Sequence, residues 1–426
     1  MKIGLFTDTY RPSVNGVVVV VDIMRHELEA AGHEVFIFCN AEKTLRRGPS
    51  LDDHIIRFPS IKKAFFDDYD LSIFFPPREL RRIKEIGLDV IIFFTPSQVG
   101  LLGVYAAHKL HIPLISQYST DLYEYIEHYP IVVPGLVGLA ATLPFTIKMD
   151  TDDIREWART FLPKRRLTAW GRQTIERLLT LLHGKCDAVI VLSRKSLRQL
   201  KGWDEEGDCR FELIPTGVDP LPLPPPEATE RFRQQLGLAP GDRVAMYVGR
   251  VSVEKNLDVI IPMMEHIVRA EPRAKFVFVG DFEYREKLEA KAAESEAAGH
   301  ILFAGKMPRH ELGAAYAAAE VFVFPSLKDT QGLVLHEAAL AGLPIVMCDP
   351  DVSEVVKDGQ NGYIVDDTPT ELARAVSLIF ANPELARRFG QRSRQLAGRF
   401  TEAKQAKKVA ALIEEVAGAR RLPVGG

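Results

Sequence analysis

The chain has 426 residues, 46% of them hydrophobic and 26% charged, with a formal net charge of −3. That length exceeds what one hydrophobic core sustains and predicts two domains of about 200 residues, while the ordinary composition excludes a disordered or fibrous chain. The small acidic excess argues against nucleic acid as a partner, because such domains carry a basic surplus to neutralise phosphates.

In chain order, the opening MKIGLFTDTY has neither the basic segment nor the apolar stretch of a signal peptide and reads as a first strand. A helix is predicted over Val18 to Ala31, closed by Gly32. The runs EVFIFC, VIIFF, PLISQY and AVIVLS follow as strands separated by longer helical patterns. That alternation is the mark of βαβ units on a parallel sheet. The proline-rich PLPLPPPEAT, residues 220–229, cannot lie inside a helix or central strand and reads as a linker or domain edge. Beyond it VAMYVG, KFVFVG, VFVFPS and PIVMC repeat the pattern, with a helix over Leu257 to Ala270. A final helix spans about Glu402 to Ala417, with Thr401 as its N-cap. The expected fold is therefore α/β, with domains at 1–218 and 219–400 and a terminal helix over 401–418.

Three βα loops carry residues suited to chemistry. In the first, Asn15 and Gly16 precede an apolar helix, whose free N–H groups can receive an anion where no Cβ blocks the approach. Turn geometry is the alternative reading. The sequence there is neither GxGxxG nor a Walker loop, which argues against a nicotinamide enzyme or P-loop ATPase. In the second loop Arg250 and Lys255 follow strand VAMYVG, at the sheet edge where ligands bind, and two cations there can hold a diphosphate. They would otherwise be solvated charges, although cations at a helix N-terminus oppose its dipole. In the third, Asp329 and Gly332 follow strand VFVFP and Glu337 lies in the first turns of the next helix. Two carboxylates and the N–H groups of Gly332 and Leu333 suit a ligand rich in hydroxyls. Glu337 could also serve only as a favourable charge near a helix start.

Together these pieces resemble family 4 of the retaining nucleotide-sugar glycosyltransferases, across essentially the whole chain. The resemblance is carried by FTDTYxPxxNGV, by GR followed by Lys five residues on, by DTQGLVLxEAxAxGLPIV and by the terminal helix. It implies the GT-B fold, two facing Rossmann-like domains with a C-terminal helix crossing back to the first. It further implies a hexose, of glucose or mannose type, moving from a nucleotide-sugar to an acceptor hydroxyl. By that resemblance Gly16 approaches the donor phosphates and Arg250 and Lys255 neutralise the diphosphate. Glu337 holds the ribose hydroxyls and Asp329 sits at the donor sugar. Gly332, Leu333 and Val334 supply donor contacts, and the loop Lys306-Met307-Pro308 passes the base. No metal or other cofactor is required. In the common proposal for the family, a donor phosphate oxygen accepts the acceptor's proton on the front face. The sequence departs from the family pattern twice. Asp329 stands where Glu is usual, and Ser119 stands in the slot of a histidine thought to touch the sugar. Ser119 can hydrogen-bond but not act as a base at neutral pH, so Asp121 is the nearest candidate base, or else a helix cap.

Other metal chemistry finds little support. Asp150-Thr151-Asp152 has DxD spacing but precedes a helical run where Thr and Asp serve as N-caps, and no HExxH occurs among the 11 histidines. The 4 cysteines are scattered, which fits a reducing cytoplasm rather than a disulfide framework. On the acceptor side, residues 161–201 hold ten basic residues against two acidic, beside the apolar but proline- and glycine-broken stretch 131–147. This 131–201 surface suits anionic lipid headgroups, unless the apolar residues are core and the basic ones solvated helix faces. The wording of FTDTY and DTQGL is closest to family members acting on diacylglycerol or phosphatidylinositol-type lipids, which implies a lipid-linked acceptor and a place at the inner membrane face. The alternatives are an epimerase or phosphorylase on the same fold, or a non-catalytic nucleotide-sugar-binding protein.

Overall fold

The β-rich apolar runs become the strands of two parallel sheets. The computed structural model describes residues 1–13, 16–41, 53–66, 69–72, 76–119, 151, 154–155, 158, 167–204, 207 and 209–421. The chain forms two units, the first made of Met1–Pro215 and Glu402–Gly426 and the second of Thr216–Thr401.

In the first unit the strands are β1 (Lys2–Phe6), β2 (Glu34–Asn40), β3 (Ile55–Phe58), β4 (Ser60–Phe66), β5 (Tyr69–Ser72), β6 (Val90–Phe93), β7 (Leu114–Tyr118), β8 (Ala188–Val191) and β9 (Phe211–Leu213). Seven of them form one sheet in the order β3-β2-β1-β6-β7-β8-β9, and β4 and β5 form a separate antiparallel pair. Strands β6 and β8 are buried at every position, as expected where helices cover both faces of a parallel sheet. Stacked Phe6 and Phe38, 4.2 Å apart, lie in this unit's core. The terminal helix Glu402–Arg421 belongs to this unit and packs on the helix Gly16–Ala30. Arg210 ties it to β9 through a two-pronged pair with Glu415 at 2.8 and 2.9 Å.

The second unit has β10 (Arg243–Val248), β11 (Ala274–Val279), β12 (Ile301–Gly305), β13 (Val321–Phe324), β14 (Ile345–Met347) and β15 (Gly362–Ile364), in the order β12-β11-β10-β13-β14-β15. The order reverses between β10 and β13, so the loops after these strands diverge and leave a crevice at their carboxyl ends. The helix predicted from Leu257 begins at Ile260, because 257–259 form a tighter 3-10 turn. The units meet at Pro215 and Thr216, just ahead of the proline-rich stretch, in which Pro226 occupies the first turn of the helix Pro226–Gln235, where no N–H is needed.

Each unit buries a histidine. His183 and His336 are 3% and 0% exposed, and burial lowers the pKa of each to about 4, although Asp204 opposes this at His183. An unfolded histidine takes up its proton near pH 6.5, so between 6.5 and 4 the unfolded chain binds more protons and stability falls as pH falls. Each group is worth on the order of 3 kcal/mol at full effect. Thermal melts from pH 7 to 4.5 are expected to show this loss, and His336→Leu to flatten it; an unchanged slope in that variant would refute the assignment.

Candidate active site

The loops at the crevice between β10 and β13 carry Arg250, Lys255, Asp329 and Gly332, with Glu337 on the helix that follows. Strand β10 ends at Val248, and Gly249 turns the chain into Arg250. The Tyr247 hydroxyl, beneath this turn, donates to the Arg250 carbonyl at 3.0 Å. The Arg250 guanidinium lies over the Phe282 ring, 5.2 Å from its centroid, and its Nη2 is 3.5 Å from Oε1 of Glu254. Glu254 is fixed in turn by the Ser252 hydroxyl at 2.6 Å. Lys255 ends the short 3-10 turn Val253–Lys255, and its Nζ donates to Oδ1 of Asp329 at 2.5 Å. Their side chains are 11% and 17% exposed. Burial alone would raise the Asp329 pKa, but Lys255, with help from Ser326 and Arg250, holds it below the ordinary value. Asp329 therefore stays a carboxylate.

The loop from Ser326 leads into the helix Leu333–Ala341. Gly332 caps that helix at φ 68°, a left-handed conformation that a side chain would strain. First-turn N–H groups have no partner within their own helix, so those of Leu333 and Val334 face the crevice end. Glu337, one turn on, has a side chain only 9% exposed. Its Oε1 accepts from Arg309 Nε and its Oε2 from the Tyr316 hydroxyl, both at 3.1 Å. The structure thus joins Lys255 to Asp329 and Arg250 to Glu254, and gives Glu337 its own pair of donors. Met307 is half-buried and packs against the core. Gln331, buried in the same loop, accepts from the Thr216 N–H at 3.0 Å and donates to the Thr216 carbonyl at 2.9 Å.

In the first unit Gly16 opens its helix, exposed, with nothing within 4 Å of where a Cβ would stand. Ser119 is half-buried and lines a cavity with Ser116, Gln117, Tyr118 and His183. Asn15, Asp121, Asp150, Asp152 and the stretch 131–147 lie outside the described residues. Among the described residues no group of three His, Cys, Asp or Glu side chains could hold a metal ion, and no helix is long and apolar enough to cross a membrane.

Two family profiles match in succession, the one described as Glycosyltransferase Family 4 over residues 14–220 and the one described as Glycosyl transferases group 1 over residues 228–396. The chain belongs to glycosyltransferase family 4. Similar relatives include the alpha-monoglucosyldiacylglycerol synthase of Streptococcus pneumoniae, 27% identical over 90% of this chain and 80% of that one. Another protein of that name, from Acholeplasma laidlawii, is 26% identical over 90% and 89%. Among solved structures, sucrose-phosphate synthase from Thermosynechococcus elongatus superposes with a TM-score of 0.70 at 19% identity, covering 98% of this chain and 99% of the other. Anabaena HepE in complex with UDP gives 0.69 at 17%, covering 97% and 100%. The fold is GT-B.

In this glycosyltransferase the sequence reading overlooks several residues that organise the loops. Arg309 and Tyr316 lie on separate elements, the turn Arg309–Glu311 and the helix Leu312–Ala318, and no linear spacing signals their shared partner. Asp8, in the FTDTY segment just past β1, has its carboxylate taken up within the fold. It accepts from the Thr95 hydroxyl at 2.6 Å and from the N–H groups of Val99 and Gly100 at 2.8 and 3.2 Å. Burial raises its pKa against those three hydrogen bonds. Asp8 thus pins the β1 loop to the open end of the helix Gln98–Leu110.

Proposed function

We propose that this glycosyltransferase moves a hexose, of glucose or mannose type, from a nucleoside diphosphate sugar to a hydroxyl of a lipid acceptor, with retention at the anomeric carbon. The second unit holds the donor and the first the acceptor. The observation that carries this reading is the placing of two cations, Arg250 and Lys255, and two carboxylates, Asp329 and Glu337, on the loops and helix that follow the two strands of one order reversal. Lys255 and Arg250 neutralise the departing diphosphate, together with the first-turn N–H groups of the helix Leu333–Ala341. Charge placed in advance where negative charge develops is the largest contribution such a site can make, and the protein's own cations supply it without a cofactor. Glu337 accepts from the ribose hydroxyls and Asp329 from the sugar.

Gly16, with no Cβ over the first N–H groups of its helix, is a phosphate-contact residue. The bond between the anomeric carbon and the phosphate oxygen breaks while the acceptor oxygen bonds on the same face, and the acceptor's proton passes to that phosphate oxygen. Ser119 has a positional role, with Asp121 the remaining candidate base. The names of the two synthases favour glucose and diacylglycerol. Arg194, Arg198 and Lys201 are exposed on one face of the helix Arg194–Trp203, which supports contact with an anionic membrane surface from the cytoplasmic side.

The reading is tested by thermal shift against UDP-, GDP- and ADP-sugars, followed by transfer to vesicles containing diacylglycerol or phosphatidylinositol and NMR of the product anomer. One donor class is expected to raise the melting temperature and to give an α-linked glycolipid. Acceptor-independent epimerisation, phosphorolysis, or binding without transfer to any lipid would each replace this function with another.

A further inference from the structure

The Glu337 carboxylate is gripped from two sides before any ligand arrives. Arg309, in the turn Arg309–Glu311, reaches Oε1, and Tyr316, on the helix Leu312–Ala318, reaches Oε2. A free glutamate carboxylate rotates broadly about its last torsion. Here each oxygen is engaged by a donor from a different element, so the plane is set. A carboxylate oxygen has two lone-pair directions, so each retains one for a further donor. Two such directions, side by side in one fixed plane, match the two hydroxyls of a vicinal diol.

The two donors differ in character. Tyr316 is 1% exposed and wedged against Phe322, their ring centroids 6.0 Å apart, so its hydroxyl has a fixed place. The Arg309 side chain is 42% exposed and closes on the carboxylate from the solvent side.

We propose that Tyr316 and Arg309 are positioning residues that hold the Glu337 carboxylate in the plane needed to accept from both ribose hydroxyls, and so set the preference for ribonucleotide over deoxyribonucleotide donors. This rests on the reading of Glu337 as the ribose-binding group. Neither residue touches the reacting carbon. Their loss shows in discrimination between nucleotides, because an acceptor aimed at two hydroxyls loses more of its advantage over one hydroxyl when its orientation is freed.

Calorimetric titration of the full chain with UDP, GDP and ADP and with their 2′-deoxy counterparts tests this. The readout is the ratio of deoxy to ribo dissociation constants for whichever base binds. The wild-type ratio is expected to be about tenfold or more, the range expected when a buried polar group is left unpaired. Glu337→Gln is expected to bring it near unity, and Tyr316→Phe and Arg309→Ala each to lower it about threefold or more. A collapsed ratio in Glu337→Gln with wild-type ratios in both other variants overturns the positioning role and leaves the ribose reading standing. A wild-type ratio near unity, or one unchanged in Glu337→Gln, overturns the ribose reading and the proposal with it. Should Tyr316→Phe fail to fold by circular dichroism, the exposed Arg309→Ala decides alone, and partial recovery of the ratio in Arg309→Lys separates positioning from general disturbance.

Discussion

Replacing Lys255 with alanine is expected to lower kcat/KM for the nucleotide-sugar on the order of a hundredfold to a thousandfold, the cost of removing one preorganised group from developing charge. A second loss accompanies it. The Lys255 ammonium is the 2.5 Å partner of a largely buried carboxylate, Asp329, and stripping such a carboxylate of its cation costs about 3–5 kcal/mol of stability. The two effects separate in a double variant. Lys255→Met with Asp329→Asn leaves no stranded charge and is expected to recover most of the melting temperature while remaining inactive. Steady-state kinetics with denaturation on the three proteins checks this. If Lys255→Ala keeps more than about a tenth of the activity, Lys255 does not stabilise the leaving group.

Gly280→Ala is expected to destabilise the second unit by about 3 kcal/mol or more, the upper range for overpacking combined with an unfavourable backbone angle. Gly280 follows β11 at φ 145°, and a Cβ there would stand 1.8 Å from the Gly249 carbonyl oxygen and 2.9 Å from its carbon. Both contacts are backbone, so no side chain can rotate away. The Gly280 N–H bonds the Gly305 carbonyl at 2.9 Å, and the Gly249 N–H bonds the Val279 carbonyl at 3.0 Å, which ties the crowded point to both sides. Relief would have to displace Gly249, the residue that delivers Arg250 into the crevice, so activity is expected to fall along with stability. Gly299→Ala is the control, because nothing lies within 4 Å of its added carbon and its effect should stay within about 0.5 kcal/mol. Urea titrations giving equal losses for the two variants would contradict the close approach.

The second-unit candidates were legible in the sequence because they follow unmistakable strands. VAMYVG and VFVFP are buried runs, and whatever follows a parallel strand at a reversal of strand order faces the ligand edge. Arg250, Lys255, Asp329 and Glu337 could therefore be picked out one loop at a time. Their pairings could not. That Lys255 meets Asp329, or that Arg309 and Tyr316 share Glu337, depends on which strands are neighbours, and linear spacing does not encode that order. The edge strands β3, β9, β12 and β15 were also missed. Of these β9 and β15 have only three residues each, too few to show a period. Asp8, in a loop rich in ligand-like residues, uses its carboxylate to cap a helix.

The two hydrogen bonds between Gln331 and Thr216 fix the loop that carries Asp329 to the start of the second unit. A side-chain amide here meets both polar groups of one backbone residue, as a neighbouring strand would, and Gln331 and Thr216 are 3% and 8% exposed. Thr216 is the first residue of the second unit, so the place where the chain changes units is stitched to the loop that carries Asp329. Parting them leaves buried donors and acceptors unpaired, at about 1–3 kcal/mol for each such group. The first residue of the second unit and the loop from Asp329 to Gly332 are therefore held together by one side chain, Gln331.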